Sequence, residues 1–256
     1  MKILAIDSSS LVASVAVVED DIMVAEYTIN HKKTHSQTLL PMIDEIVKMA
    51  EIRLDDIDAI AVTYAPGLLG SLLVGVEFAK TMSFVYKKPL IAVNHIAGHI
   101  YANNLEKPMQ FPLLALVVSG GHTDLILMKG DYQFEHIGGT LDDAIGECYD
   151  KVARVIGLGY PGGPKVEKAA LEGEHTYDLP IPMNDDSFNM SFSGLKSNII
   201  NLVHNEKQRG NDINKEDLAT SFQDVAVDIL AKKTIKALKE FNITIPEHIT
   251  CICNTF

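Results

Sequence analysis

The stretches ILAIDSSS at residues 3–10, IAVTYAPGLLGS at residues 60–71 and LLALVVSGGHT at residues 113–123 follow one pattern. In each, an apolar run typical of a buried strand leads into a turn of small residues. Glycine lets the backbone approach a ligand closely, and successive backbone N–H groups in such turns form anion-binding nests. The repetition of this pattern predicts a duplicated fold that handles a nucleotide.

Composition limits the classes of protein to be considered. The chain has 256 residues, of which 47% are hydrophobic and 22% charged, as expected for a globular protein of one or two domains. Its net charge of -12 argues against a protein that binds nucleic acid unaided, because phosphate contacts need clustered Lys and Arg. A nucleic-acid substrate would require a local basic patch or a basic partner.

Cysteine usage and hydropathy indicate a compartment. The three cysteines are odd in number and form no CxxC pair, which argues against a disulfide framework and predicts the reducing cytoplasm. Asp7 interrupts the first apolar run at once, so we expect no signal peptide. No run of about 18 uncharged apolar residues occurs, so we also expect no membrane span.

Two similar series of elements follow one another along the chain. In the first, the patterns predict strands over 2–6, 12–18 and 22–28, a helix over 35–50, a strand over 57–62, a helix over 69–85, a strand over 90–93 and a helix over 96–103. In the second, they predict strands over 113–118, 123–128 and 133–138, helices over 141–156, 164–173, 194–205 and 215–241, and a strand over 249–253. This order predicts two α/β domains, 1–106 and 107–256, with sites at the carboxyl ends of strands.

His95 and His99 are the candidate metal ligands. Their i, i+4 spacing places both imidazoles on one face of a helix, where a divalent metal can bridge them. A metalloprotease would have Glu directly after the first histidine, and here that residue is Ile96. The alternative is an ordinary polar helix face, and His31 and His35 show that the bare spacing recurs without a further signal.

The SGGHT turn at residues 119–123 allows two interpretations. Hydroxyls on both sides of two glycines can donate hydrogen bonds to a phosphate, or the turn can simply close a β-hairpin. The turn at residues 66–71 likewise either presents a helix N-terminus to an anion or only packs a helix closely.

Several polar residues further along the chain have both a structural and a functional interpretation. Asp142 and Asp143 are predicted to cap the helix over 141–156, whose Glu147 and Asp150 are placed to face a ligand or solvent. The SFSGLK turn at residues 191–196 either contacts a phosphate or caps the helix that follows.

These motifs, in this order, resemble one family. They are AVTYAPGLLGSLLVG at residues 61–75, VNHIAGHIYAN at residues 93–103, and the stretches 118–123, 140–151, 160–164, 191–196 and 218–222. Together they are similar to the tRNA N6-adenosine threonylcarbamoyltransferases, also described as glycoproteases or O-sialoglycoprotein endopeptidases. The resemblance covers about residues 55–245.

The resemblance implies a fold, a reaction and a site. The fold is the α/β ASKHA (actin/hexokinase/Hsp70-like) fold with two RNase H-like domains. The reaction, an acyl transfer, moves threonylcarbamoyl from threonylcarbamoyl-adenylate to N6 of the adenosine adjacent to the anticodon in tRNAs that read ANN codons. His95 and His99 would bind one divalent metal, with iron favoured over zinc. The implied substrate-binding residues, for an adenylate or ATP-type nucleotide, are Val118, Ser119, Gly120, Gly121, His122, Asp150 and Gly163.

The resemblance also implies partners, namely tRNA, a non-catalytic paralogue and a small ATPase of the same pathway, with the chain in a homo- or heterodimer. Two departures from the family pattern stand out. After the first strand the family has Glu-Thr-Ser-Cys-Asp-Glu-Thr where this chain has Asp7 to Ala13, and residues 35–44 resemble the non-catalytic paralogue.

At the other end, the sequence stops before the Gly-Gly-Val-Ala-Ala-Asn turn and the Asp that supplies the family's third metal ligand. We therefore expect a second domain that is incomplete at its C-terminus, and a two-histidine site that needs a further ligand. Two alternatives stay open. One is a catalytically impaired homologue that acts as a dimerisation or scaffold partner, and the other is a kinase of the same fold.

Overall fold

The computed structural model describes residues 1–31, 34–105, 107–243 and the backbone of Ile252–Cys253. The chain divides into two compact units, Met1–Ala102 and Asn103–Phe256. The predicted domain bounds, 1–106 and 107–256, stay a prediction.

The first unit is a five-stranded sheet with helices. Its strands are β1 (Lys2–Asp7), β2 (Ala13–Glu19), β3 (Ile22–Ile29), β4 (Ala59–Ala65) and β5 (Leu90–Asn94), in the order β3-β2-β1-β4-β5. Its helices are α1 (His35–Met49), α2 (Leu69–Tyr86) and α3 (His95–Ala102). Because β4 is parallel to both β1 and β5, the carboxyl ends of these three strands lie at one edge of the sheet.

Alternating side chains of β1 and β2 form the core of this unit together with one face of α1. Its fully buried members include Leu4, Val17, Met42 and Ile43. Helix α2 also approaches β1 closely, because a Cβ on Gly75 would overlap the hydroxyl of the buried Ser8. The sequence therefore needs glycine at this point of the helix.

The second unit repeats the arrangement of the first. Its strands are β6 (Leu113–Val118), β7 (Thr123–Met128), β8 (Phe134–Gly139) and β9 (Ile252–Cys253), in the order β8-β7-β6-β9. Again three antiparallel strands come first, and the fourth pairs parallel to the first of them. The helices are α4 (Ile145–Val155), α5 (Gly162–Ala170), α6 (Ser193–Gln208) and α7 (Lys215–Glu240). The duplicated α/β order predicted from the sequence is confirmed.

Several element boundaries differ from the predicted ones by two to four residues. The helix predicted over 141–156 begins only at Ile145, and that predicted over 164–173 begins at Gly162 and ends at Ala170. Residues 249–251 of the predicted last strand lie outside the described residues. No helix in the described part of the chain is both long enough and apolar enough to span a membrane.

Candidate functional site

Side chains from three parallel strand ends meet in the first unit. Asp7 is the last residue of β1, and both the backbone N–H and the hydroxyl of Ser9 donate to its Oδ1, at 2.7 and 2.6 Å. The hydroxyl of Thr63, near the end of β4, donates to Oδ2 at 2.9 Å. Ser9 and Thr63 are buried, so these bonds hold the carboxylate of Asp7 in one orientation.

The two predicted metal ligands lie together just beyond β5. His95 Nε2 and His99 Nε2 are 2.9 Å apart, and the ring centroids are separated by 4.2 Å. On the other side of its ring, His95 Nδ1 lies 3.0 Å from Ser9 Oγ and 3.4 Å from Asp7 Oδ2. We call Asp7, Ser9, Thr63, His95 and His99 the strand-end cluster.

Helix α3 has a side-chain cap of its own. Asn94 Oδ1 accepts the backbone N–H groups of Ile96 and Ala97 at 2.9 and 3.2 Å. This is the usual use of Asn before the first helical residue. The cap fixes the first turn of the helix that carries both imidazoles.

The strand-end cluster affects the acidity of Asp7. Burial alone would raise the pKa of this carboxyl, but the hydrogen bonds from His95, Ser9 and Thr63 outweigh burial and hold the pKa well below its ordinary value. The carboxylate is therefore ionised over the whole physiological range of pH.

The donor set fits part of a metal site. Two nitrogens 2.9 Å apart are within the span of two metal–nitrogen bonds of about 2.0–2.1 Å each. Asp7 faces Nδ1 of His95 and not Nε2, so it lies behind the imidazole and not beside its ligating nitrogen. Among the described residues, no group of three or more His, Cys, Asp or Glu side chains is placed to hold a metal ion.

The predicted substrate loop, residues 118–122, forms a hairpin in the second unit. Val118 ends β6 and pairs with Thr123 at the start of β7, and Ser119 N–H donates to His122 O at 2.8 Å. The hydroxyl of Ser119 accepts the N–H groups of Gly121 and His122 at 3.3 and 3.0 Å. The loop therefore closes a β-hairpin, and two of the amides that an anion-binding nest would use donate within the loop. The phosphate interpretation of the loop stays a prediction.

The same hairpin packs on the first turn of α4. A Cβ added to Gly146 would lie 2.7 Å from Ser119 O and 2.8 Å from Gly120 Cα, so only glycine allows this contact. The buried Thr123 hydroxyl accepts the N–H of Ile145 at 2.9 Å and so caps α4 from the neighbouring strand.

Asp142 caps a different helix from the predicted one, which corrects the sequence interpretation. Its carboxylate accepts the hydroxyls of Ser191 and Ser193 and the N–H groups of Phe192 and Ser193, all within 3.1 Å, at the start of α6. Burial opposes ionisation, but these bonds prevail and lower the pKa of Asp142 to about 2.

Asp143 is also paired within the second unit. It accepts from Lys196 and, at 2.9 Å, from Lys151. In the structure, Ser191, Ser193 and Lys196 of the SFSGLK turn thus bind carboxylates of the chain itself.

Asp150 and Gly163, the remaining predicted substrate residues, lie where α4 meets α5. Asp150 Oδ1 accepts the N–H of Gly162 at 2.7 Å, which caps α5 from outside that helix. Gly163 is the next residue, and a Cβ added there would meet no atom within 4 Å. Asp150 therefore has a structural bond in the chain, while the space beside Gly163 is open.

Sequence reasoning missed Ser9 and Thr63 as members of the site. Each is a small polar residue at or after the carboxyl end of a strand, which is the signal that could have found them. Ser9 contacts Asp7 and His95, and Thr63 contacts Asp7. These contacts depend on the order of strands in the sheet, which the spacing of residues along the sequence does not reveal.

Comparisons with known proteins agree with the resemblance. The sequence profile of the tRNA N6-adenosine threonylcarbamoyltransferases matches residues 23–253. Proteins of that name from Staphylococcus saprophyticus and Staphylococcus carnosus are 49% and 55% identical to this chain over 94% and 82% of its length. These alignments cover 75% and 61% of the two relatives, so the chain spans only part of their length.

A solved structure supports the fold. The chain is similar to component A of the (R)-2-hydroxyglutaryl-CoA dehydratase of Acidaminococcus fermentans, with a TM-score of 0.56 at 13% identity over 99% of this chain and 83% of that one. This likeness bears on the fold alone, and it confirms the predicted ASKHA class. Because the profile covers most of the sequence and the identities are high, the chain belongs to the tRNA N6-adenosine threonylcarbamoyltransferase family.

Proposed function

We propose that this chain is an acyltransferase that transfers threonylcarbamoyl from threonylcarbamoyl-adenylate to N6 of the adenosine adjacent to the anticodon in tRNAs that read ANN codons. The observation that carries the proposal is the paired His95 and His99 at the strand ends of a chain that belongs to this family. The proposal includes the whole reaction, although the chain spans only part of its relatives' length.

In this proposal His95 and His99 hold one divalent cation, iron in preference to zinc. When bound, such a cation supplies Lewis-acid polarisation of a carbonyl oxygen. The chain's own contribution is orientation. Asp7, Ser9 and Thr63 fix the imidazole of His95, and the Asn94 cap fixes the helix that carries both rings.

The proposed nucleotide contacts lie in the second unit. They are Val118, Ser119, Gly120, Gly121, His122, Asp150 and Gly163, which would hold the adenylate. The loop amides of Gly121 and His122 now donate to Ser119 Oγ, so a phosphate would have to replace that hydroxyl as their acceptor. The open space at Gly163 supports a contact there.

Both the charge of the chain and its family bear on the partners with which it would bind tRNA. With a net charge of -12, the chain needs a local basic patch or a basic partner to hold tRNA. We propose that the chain acts on tRNA in a cytoplasmic complex with the non-catalytic paralogue and the small ATPase of the pathway.

The test is a tRNA-modification assay with the purified chain, threonylcarbamoyl-adenylate synthase, the paralogue and the small ATPase. Threonylcarbamoyladenosine in digested tRNA would be measured by mass spectrometry for wild type, His95→Ala and the control His204→Ala, which changes an exposed histidine of α6. We expect product with wild type and control only. Binding of the paralogue without any product from wild type would favour the scaffold alternative instead.

A further inference from the structure

The hydrogen bonds of the strand-end cluster determine which of its groups donate and which accept. Asp7 Oδ1 lies 2.7 Å from Ser9 N and 2.6 Å from Ser9 Oγ, and Oδ2 lies 2.9 Å from Thr63 Oγ1. An ionised carboxylate only accepts hydrogen bonds. Each of the three contacts therefore uses the proton of its partner, and the single hydroxyl proton of Ser9 is directed at Asp7.

This assignment decides where His95 carries its proton. The two groups next to His95 Nδ1 are Ser9 Oγ at 3.0 Å, which has only lone pairs left, and Asp7 Oδ2 at 3.4 Å. Both are acceptors, so Nδ1 must be the donor. In a neutral imidazole the other nitrogen then carries a lone pair. That nitrogen, Nε2, is the one that faces His99.

We propose that Asp7, acting with Ser9, is a positioning residue that fixes the Nδ1–H tautomer of His95 and thereby makes Nε2 the ligating nitrogen. The inference rests on the proposed function for the identity of what Nε2 binds. Imidazoles that ligate metals usually donate their second N–H to a carboxylate or another acceptor, which sets both the tautomer and the orientation of the ring.

Asp7→Asn gives a sharp test because the structure fixes which way the new amide faces. The backbone N–H of Ser9 needs an acceptor at the Oδ1 position, so the amide oxygen stays there. The amide nitrogen then replaces Oδ2 and donates to His95 Nδ1. Nδ1 then faces a donor where it faced the carboxylate, and Ser9 Oγ is its one remaining acceptor among these two groups. We expect the imidazole to move its proton to Nε2 and so to lose the ligating lone pair there.

The experiment combines two measurements on the same proteins. Nitrogen-15 NMR of the metal-free chain reports the tautomer of His95, and titration with Zn²⁺ alone reports metal affinity. The control is Asp58→Asn, which alters an exposed carboxylate that also accepts a backbone N–H in this unit, from Lys2 at 2.7 Å. Asp7→Glu serves as the conservative variant.

We expect an Nδ1–H tautomer in wild type, in Asp58→Asn and in Asp7→Glu, and an Nε2–H tautomer in Asp7→Asn. Zn²⁺ affinity should fall about 10- to 100-fold in Asp7→Asn, remain unchanged in the control and fall by less in Asp7→Glu. Equal melting temperatures for wild type and Asp7→Asn would show that the affinity change is not a folding defect.

An Nε2–H tautomer in the wild type, or wild-type Zn²⁺ affinity in a folded Asp7→Asn, would overturn the inference. If Asp7→Asn does not fold, the wild-type spectrum alone tests the predicted Nδ1–H tautomer of His95. Wild-type protein that shows the Nδ1–H tautomer but binds no Zn²⁺ at millimolar concentration would instead contradict the metal part of the proposed function.

Discussion

The strand-end cluster and the hairpin loop, residues 119–122, satisfy their polar groups in opposite ways. In the cluster, Asp7 and His95 are 88 positions apart in sequence, and they orient each other through side chains. In the loop, Ser119 accepts from residues two and three positions away. The cluster thus leaves the Nε2 pair of two imidazoles turned toward one another, while the loop uses two of its own amides. Ligand binding requires an exchange of bonds in both regions: between the imidazoles it replaces the hydrogen bond that joins the two Nε2 atoms, and in the loop it replaces Ser119 Oγ as the acceptor of two amides.

The largest effect should come from the cluster. His95→Ala removes one of two paired nitrogens, and we expect it to lower metal affinity and threonylcarbamoyl transfer by more than about 100-fold, since losing a ligand exceeds the cost of losing a group behind it. Metal analysis of purified protein and the transfer assay check this. If His95→Ala kept the metal content of the His204→Ala control, the cluster would not be a metal site.

A smaller effect is expected in the hairpin loop. Gly146→Ala would drive a methyl group into Ser119 O and Gly120 Cα and should cost about 1–3 kcal/mol of unfolding free energy, with weaker binding of an unreactive adenylate analogue. Denaturant unfolding and calorimetric titration measure both. Gly121→Ala is the matched control for stability, because a Cβ there meets no atom within 4 Å. Equal stability of the two variants would show that the loop does not depend on its packing against α4.

Acid should weaken a carboxylate cap outside both regions. Asp142 in the second unit has a pKa lowered to about 2 from an ordinary value of 3.8, so its stabilisation of α6 is complete above about pH 4 and is lost as pH falls toward 2. Asp142→Asn should therefore destabilise the protein at pH 7, and the difference from wild type should shrink between pH 4 and pH 2. Thermal unfolding across that range measures it, and a pH-independent difference would contradict the role of the ionised carboxylate.

The smallest effect concerns Cys148 of α4, which is fully buried in the core of the second unit. Burial raises the pKa of this thiol to about 12, so it stays protonated and unreactive. Peptide mass spectrometry after alkylation at pH 8 should find Cys148 unmodified in native protein and modified after unfolding. Modification of the native protein within minutes would show that α4 opens from its core.

The sequence allowed the duplicated order of elements to be predicted because that order depends on local periodicity. It allowed the histidine pair to be predicted too, since His95 and His99 lie on one turn of one helix. Capping across the fold was not predictable. Asp142 precedes α4 by three residues and yet caps α6, because its partners Ser191 and Ser193 are brought to it by tertiary packing.

The dependence on tertiary packing also explains why two members of the strand-end cluster were not predicted. Ser9 and Thr63 are small polar residues in turns or strands, and many such residues have no functional role. Ser9 reaches His95, and Thr63 reaches Asp7, because β4 lies between β1 and β5. The resemblance supplied the roles of residues that matched a motif, and it was silent on Asp7, where the chain departs from the family pattern.

The Asn94 cap has a thermodynamic consequence for any ion held by α3. Because Asn94 already secures the amides of Ile96 and Ala97, the chain has little left to order when a ligand arrives. Association should then proceed with a small heat-capacity change and without a slow conformational phase. Calorimetry at several temperatures should give nearly the same binding enthalpy at each one, as expected for a site that is rigid before its ligand binds.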